Sequence, residues 1–303
     1  MTIMSLLLPE NVRVLGQGIT GSEGSKALAW SLDYGTNFVA GVTPGKGGQS
    51  VEEVPIFNTI AEALDKVGMV DCAISFVPPR FAKDAFFEAA EAGIRLSVVV
   101  AEKMPTKDAA LMLSFARKKG VRFVGPNTAG MISPHRKIKL GLMGGPDPEK
   151  MFIPGDVAII SKSGSVAAEI GLGLKNANLG VSWVFGIGGD RIIGTDFVDL
   201  LKELEDDPQT KLTVIFGELG GTYEEQAAEI IYKGIIKKPV AAFIAGEFTL
   251  SLPSEVQFGH AGAIIEGERG KPDHKRKVLE QAGVKIAYKI EEIPDLVKEV
   301  LNG

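Results

Sequence analysis

The chain has 303 residues, 45% of them hydrophobic and 23% charged, enough to bury two cores of ordinary size. Its net charge of -5 and pI near 5.5 exclude the general basic face with which proteins hold nucleic acid or anionic membrane, so the basic residues are expected to serve local sites. Cys72 is the only cysteine, which excludes an intrachain disulfide and a thiolate metal cluster and fits a reducing, cytoplasmic setting.

The N-terminal MTIMSLLLPENVRV has a short apolar run but no basic n-region or small-residue cleavage site, and nowhere do eighteen apolar residues run together. Neither a signal peptide nor a membrane span is expected. From there, short apolar runs ending in glycine or proline alternate with amphipathic segments, the pattern of strand-helix units and an α/β fold with parallel sheets. A first strand at 12–16 runs into Gly16-Gln17-Gly18-Ile19-Thr20-Gly21 and then a helix. Closely spaced glycines in that context let backbone N–H groups approach a diphosphate at a helix N-terminus; the bland alternative is that they only make tight turns. The second strand, 37–42, leads into Thr43-Pro44-Gly45-Lys46-Gly47-Gly48. A dinucleotide site would want an acidic ribose partner there, whereas Lys46 suits an extra phosphate, either the 3'-phosphate of coenzyme A or the 2'-phosphate of NADP. Strands at 72–76, 96–100 and 122–124 alternate with helices over 81–92 and 107–118.

A Pro- and Gly-rich segment at 126–154, with an extended piece at 137–142, separates this half from the next. The expected division is one domain over 1–130, a linker over 131–155 and a second domain over 156–303. Strands restart at 156–160, 181–186, 212–216, 240–244 and 285–287. The first of these is followed by Ser161-Lys162-Ser163-Gly164-Ser165 and a helix from about Val166. Hydroxyls and free N–H groups at a helix N-terminus favour a phosphoryl group, although simple N-capping by Ser163 or Ser165 explains an isolated turn of this kind equally well. Two further glycine-rich strand ends, Gly186 to Arg191 and Gly217 to Gly221, share the same domain. In a parallel sheet such ends converge on one edge, so Glu218 is expected near the serine turn. His260, set among small residues in Glu255-Val256-Gln257-Phe258-Gly259-His260-Ala261, is the candidate nucleophile, because a carboxylate on one imidazole nitrogen fixes the tautomer and leaves the other free to attack phosphorus. His135 and His274 read as surface residues.

These motifs resemble, in order, the superfamily of succinate-CoA ligase (succinyl-CoA synthetase) α subunits and ATP-citrate lyases: GQGITGSEG, GVTPGKGG, PIFNT, GPN, the SKSG turn, GIGGD, GELGG and GHAGA, spread over essentially the whole chain. The resemblance implies a Rossmann-like CoA-binding domain followed by a flavodoxin-like parallel-sheet ligase domain. By it, His260 is the phosphorylated histidine and Glu218 its orienting carboxylate. Ser161, Ser163, Gly164 and Ser165 form the phosphate site, while Gly18, Thr20, Gly21, Ser22, Glu23, Lys46, Val100, Ala101 and Glu102 match coenzyme A positions. No metal ligand is implied in this chain; ATP and Mg2+ would be bound mainly by a larger ATP-grasp partner subunit.

Three departures bear on the acid. GGDRIIG carries Arg191 where succinate enzymes read GGDPxPG, SEVQFGHAGA is lyase-like, and Ala168 stands where succinate enzymes place a tyrosine. The chain ends without the citrate-synthase-like module of ATP-citrate lyase. The resemblance therefore points to the citryl-CoA synthetase branch, a subunit of a ligase that makes citryl-CoA, ADP and phosphate from citrate and CoA without the lyase step. A succinate-CoA or malate-CoA ligase subunit, a non-catalytic CoA-responsive protein and an NADP-binding oxidoreductase are the competing readings.

Overall fold

The computed structural model describes residues 5–246, 262 and 270–302; His260 and its neighbours lie outside them. The described residues form two seven-stranded, mainly parallel sheets. The first comprises β1 (Arg13–Gln17), β2 (Asn37–Val42), β3 (Ser50–Val51), β4 (Val54–Phe57), β5 (Cys72–Ser75), β6 (Leu96–Val99) and β7 (Arg122–Val124), in the spatial order β3-β4-β2-β1-β5-β6-β7. Its helices are α1 (Ser22–Tyr34), α2 (Ile60–Val67), α3 (Pro79–Glu91) and α4 (Thr106–Lys119). The second sheet comprises β8 (Gly130–Ser133), β9 (Ile138–Gly141), β10 (Pro154–Ser161), β11 (Val181–Gly186), β12 (Leu212–Gly217), β13 (Val240–Ile244) and β14 (Lys285–Ala287), ordered β14-β13-β12-β10-β11-β8-β9. It carries α5 (Gly164–Asn176), α6 (Phe197–Asp206), α7 (Tyr223–Tyr232), α8 (Pro272–Gln281) and α9 (Ile293–Asn302).

Both sheets have the same internal logic. β1 lies between β2 and β5, and β10 between β12 and β11, all parallel. Chain direction across the sheet reverses at these two strands, and a crevice opens at the carboxyl end of such a switch point. The glycine loop follows β1 and the serine turn follows β10. Strands β11 and β12 are buried at all six positions, as expected for parallel strands covered on both faces. Alternation sorts the faces of β10: Val157 and Ile159 pack with Ile170, Leu174 and Val297, whereas Ala158 and Ile160 join the opposite cluster with Trp183, Leu200 and Leu279. That second cluster continues into Val14, Ile74, Val98 and Val124 of the first sheet, so one apolar core joins the two units.

The segment expected to be a linker is instead part of the second sheet. β8 pairs antiparallel with both β11 and β9, and Met131, Ile132, Ile138 and Leu140 are buried. Proline and glycine content made 126–154 read as a linker with one extended piece at 137–142, where β9 lies, yet Gly130 too is a strand residue, in β8. A Cβ on it would stand 1.7 Å from the Leu140 carbonyl oxygen, so only glycine lets β8 and β9 approach. The sequence reading also lacked the β3-β4 hairpin, whose turn carries Glu52 and Glu53 at φ of 47° and 65° rather than the Asn or Gly that usually marks such turns. His135 is exposed, but His274 is half-buried on α8. No helix among the described residues is long and apolar enough to cross a membrane.

Where the two units meet, β9 packs on α1. Lys139 is fully buried there, donates to the Gly141 carbonyl at 2.6 Å and lies 5.6 Å from the Trp30 ring. Burial pulls its ammonium down to about 8. Because the folded value lies below the unfolded one, the unfolded chain binds the extra proton between the two. Stability should rise as pH increases from about 8 to about 10.4. Lys139→Met is expected to raise the thermal midpoint at pH 7 by about 3 °C and to abolish that rise; scanning calorimetry across pH 7 to 10.5 checks both.

Candidate active site

The first turn is shaped by backbone crowding. Gly18, at φ 74°, donates to the Val42 carbonyl, and Gly21 N–H donates back to the Gly18 carbonyl at 3.1 Å. Gly21 then caps α1 without any side-chain hydrogen bond, and Gly21, Ser22 and Glu23 are exposed. This is a helix start whose N–H groups suit an anion. Gly24, absent from the sequence-derived set, is the point most crowded by backbone: a Cβ would meet the Gly18 carbonyl oxygen at 2.7 Å and Ile19 Cα at 2.8 Å. Thr20 and Thr43 hydroxyls lie 3.2 Å apart. Lys46 is exposed on the neighbouring turn, which is ordered by Asn58: its Oδ1 accepts from Gly45 N–H at 2.9 Å and Gly47 N–H at 3.0 Å. Asn58 was visible within the PIFNT motif but had no role attached.

In the second turn the three serines divide their tasks. Ser161 is buried; its hydroxyl donates to the Ser163 carbonyl at 2.6 Å and accepts from the Ser163 N–H at 3.1 Å. It braces the turn from beneath. Ser163 is the N-cap of α5, accepting from Val166 N–H at 3.5 Å, and its hydroxyl lies 3.1 Å from that of Ser165. The capping bond is thus present but long, and the two hydroxyls remain at the helix N-terminus. Helix α5 begins at Gly164, two residues earlier than expected.

Beneath this turn lies a charge cluster that sequence reasoning missed. Glu224, in the first turn of α7 and fully buried, accepts from Lys162 at 3.0 Å and from Lys275 of α8. Burial alone would raise the Glu224 carboxyl, but Lys162 and Lys275 outweigh it and hold it below the usual carboxylate range. Burial likewise pulls Lys162 down, and Glu224 and then Glu218 more than reverse this, so Lys162 stays protonated. Lys275 ends below its ordinary value because burial prevails over Glu224. Glu218 is half-buried; its N–H donates to Glu224 Oε1 at 3.1 Å and its carbonyl accepts from Lys275 at 2.9 Å. The turn is tied onward by Gly220 N–H to the Gly270 carbonyl, while Gly270 N–H donates to Glu225. The available signal was two acidic residues in the first turn of α7, three and four positions after a glycine pair, a position that usually faces solvent.

The serine turn and the first unit share one cleft of about 610 Å³. Glu23, Val100, Ala101 and Glu102 line it from the first unit, and Lys162, Ser163, Gly164 and Ser165 from the second. Gly18, Thr20, Gly21, Ser22, Lys46, Ser161, Glu218 and Arg191 are not part of its wall. Asn127, also on the wall, donates to Asp190 at 2.9 Å, and the same Gly188–Asp190 turn receives the Gly262 N–H at the Gly189 carbonyl, 3.0 Å. Gly262 is the described residue closest in sequence to His260. Arg191 is exposed, and its carbonyl accepts from the Tyr223 hydroxyl at 3.3 Å. Among the described residues no group of three or more His, Cys, Asp or Glu could hold a metal ion. Gly24→Ala is expected to cost about 2 kcal/mol by forcing the loop off the helix, read as a thermal midpoint lower by about 5 °C despite the better helix propensity of alanine.

Residues 9–103 match the CoA binding domain family and residues 154–300 the succinyl-CoA ligase like flavodoxin domain family. A succinate–CoA ligase [ADP-forming] subunit alpha of Archaeoglobus fulgidus is 45% identical over 98% of this chain and 97% of its own length. An ADP-forming sulfoacetate-CoA ligase subunit of Acholeplasma sp is 40% identical over 98% of each. ATP citrate lyase from Methanothrix soehngenii, solved in complex with citrate and coenzyme A, superimposes with a TM-score of 0.90 at 26% identity, over 98% of this chain and 50% of that one; the chain spans half the length of that enzyme. With a CoA binding domain, a succinyl-CoA ligase like flavodoxin domain and relatives matched from end to end, the chain belongs to the family of ADP-forming CoA-ligase α subunits.

Proposed function

We propose that this chain is the α subunit of an ADP-forming carboxylate-CoA ligase that relays a phosphoryl group through His260, with citrate as the acid. The single observation that supports it best is the shared cleft: the wall near the first glycine loop and the serine turn face one space, which lets an acyl phosphate and a thiol meet. Coenzyme A supplies that thiol, and the uncapped start of α1 with the exposed Gly21, Ser22 and Glu23 fits its phosphates. Lys46, exposed beside them, takes the 3'-phosphate. ATP and Mg2+ are held by a larger ATP-grasp partner.

The γ-phosphoryl of ATP bonds to an imidazole nitrogen of His260 as the bond to ADP breaks. A carboxylate oxygen of the acid then attacks that phosphorus, giving an acyl phosphate and free histidine. The thiol sulfur attacks the acyl carbon, phosphate leaves, and the thiol proton passes to solvent or to the phosphate. Glu218 orients His260 and stabilises its cationic ring. Ser163, Ser165 and the N-terminus of α5 hold the phosphoryl oxygens in a preorganised field.

For the acid, Arg191 and Ala168 support the larger, more highly charged citrate, as does the SEVQFGHAGA segment, of which Gly262 alone is among the described residues. Succinate is the second reading, favoured by end-to-end identity of 45% to a succinate–CoA ligase subunit. Following ADP formation by the complex with CoA and citrate, succinate or malate decides between them: citrate should give turnover at least tenfold above the others, and a preference for succinate overturns the acid while leaving the relay intact.

Two substitutions test the assignments on this chain. His260→Asn is expected to abolish acid-labile labelling from γ-labelled ATP and to lower turnover by at least about a thousandfold, with CoA binding retained. Lys46→Ala should weaken CoA binding about tenfold while leaving 3'-dephospho-CoA unaffected, measured by isothermal titration calorimetry.

A further inference from the structure

Lys162, Glu224 and Lys275 sit on three separate elements: the turn after β10, the first turn of α7, and α8. Glu224 Oε1 accepts from Lys162 at 3.0 Å and from the Glu218 N–H at 3.1 Å, and Oε2 accepts from Lys275. Lys275 also donates to the carbonyls of Glu218 at 2.9 Å and Gly220 at 2.6 Å, so all three of its protons are accepted. Two ammonium groups share this one carboxylate, with Glu225 a further 3.9 Å from Lys275 and Glu218 also acting on Lys162. Lys162 is the member that reaches the ligand space: it lines the cleft beside Ser163, with a side chain 5% exposed. The fit is close, since a Cβ on Gly217 would meet Glu224 Cγ at 2.7 Å.

We propose that Glu224 is a positioning residue, which locks Lys162 at the cleft and the backbone of Glu218 opposite it in one fixed arrangement, so that Lys162 supplies a permanent cation to the phosphoryl group at the serine turn. The inference rests on the relay reading and deepens it. A buried carboxylate offsets the desolvation that would otherwise pull a dehydrated ammonium down, as it pulls Lys139 down; the upward displacement of Lys162 by Glu224 and Glu218 agrees with this. The fixed cation removes the reorganisation that a solvent-exposed lysine would need when charge arrives. It also explains why a lysine stands within the serine turn yet makes no bond to the turn's hydroxyls.

The test uses the assembled complex with its ATP-grasp subunit and compares wild type, Lys162→Met, Lys162→Arg, Glu224→Gln and a control, Glu229→Gln, whose carboxylate pairs with Lys233 on the surface. Lys162→Met removes the cation yet leaves Glu224 paired with Lys275, so this variant keeps the test available if Glu224→Gln does not fold. The readouts are the rate of acid-labile labelling from γ-labelled ATP and, separately, CoA affinity by calorimetry on the same preparations. Lys162→Met and Glu224→Gln should slow labelling at least tenfold with CoA affinity within twofold of wild type. Lys162→Arg should restore labelling to within about threefold, since it returns a charge that Glu224 can hold, and Glu229→Gln should match wild type. Wild-type labelling in Lys162→Met overturns the proposal and leaves the relay standing. Parallel loss of labelling and CoA affinity, unrescued by arginine, also overturns it, because it marks a general structural role. Absence of acid-labile label in wild type sinks the relay and this inference together.

Discussion

A single buried carboxylate holds the second half of the site together. Glu224 has no exposed surface, yet it accepts from two lysines and from the backbone of Glu218. At 3.0 Å, and with an effective dielectric of about 20, each ion contact is worth on the order of 5 kcal/mol before desolvation. Desolvation of three charges returns most of that gain, which is why such clusters add little net stability. What they do provide is intolerance of alternatives: removing one member leaves an unpaired buried charge, costing about 3 to 5 kcal/mol. The serine turn, the Glu218 turn and the start of α8 therefore move together or not at all. Gly270, which is bonded to Gly220 and Glu225, extends the same scaffold to the end of the segment that carries His260 in sequence.

The cleft depends equally on how the two sheets are joined. Each sheet alone would offer a crevice at its switch point, but the chemistry requires the two crevices to face each other. The apolar cluster running from Val14 and Val98 to Trp183 and Leu200 supplies the contact, and the β8-β9 ribbon fixes its angle by packing on α1. Thr36 bonds to the backbone of Lys139, both accepting its N–H at 2.8 Å and donating to its carbonyl at 3.2 Å, so the end of α1 is stitched to β9. A burial cost is accepted at Lys139 to make this junction, since an amine is held there against the pull of desolvation.

Much of this was legible in the sequence because its signals are local. Continuous apolar runs marked β11 and β12, and Gly18 and Gly21 marked the first turn, since positive φ and an uncapped helix start depend on the residue itself. The serine turn was legible for the same reason. Other features were hidden because they depend on partners distant in the chain. Gly130 is a strand residue only because Leu140 lies across from it, and Glu224 is buried only because Lys162 and Lys275 arrive from 62 and 51 positions away. The turn at Glu52 and Glu53 escaped notice because tertiary pairing of β3 with β4 overrides the preference of glutamate for negative φ. Ser161 shows the converse: the motif made it a ligand candidate, but burial gives its hydroxyl to the turn.

A phosphoryl relay needs an environment that welcomes negative charge when it arrives and does not collapse when it leaves. Exposed lysines fail the second condition, because they follow the anion and reorient once it departs. A helix N-terminus alone is weak, equivalent to about half a charge, and solvent screens it over roughly 8 Å at physiological salt. Lys162, which lines the cleft beside Ser163, adds a full charge to that half charge. Pairing it with Glu224 prevents the lysine from losing its proton while the site is empty. Glu224 is fully buried and is not on the cleft wall, whereas Lys162 lines the wall with Ser163 and Ser165. In this arrangement it matters more which group reaches the cleft than how many charges the cluster holds.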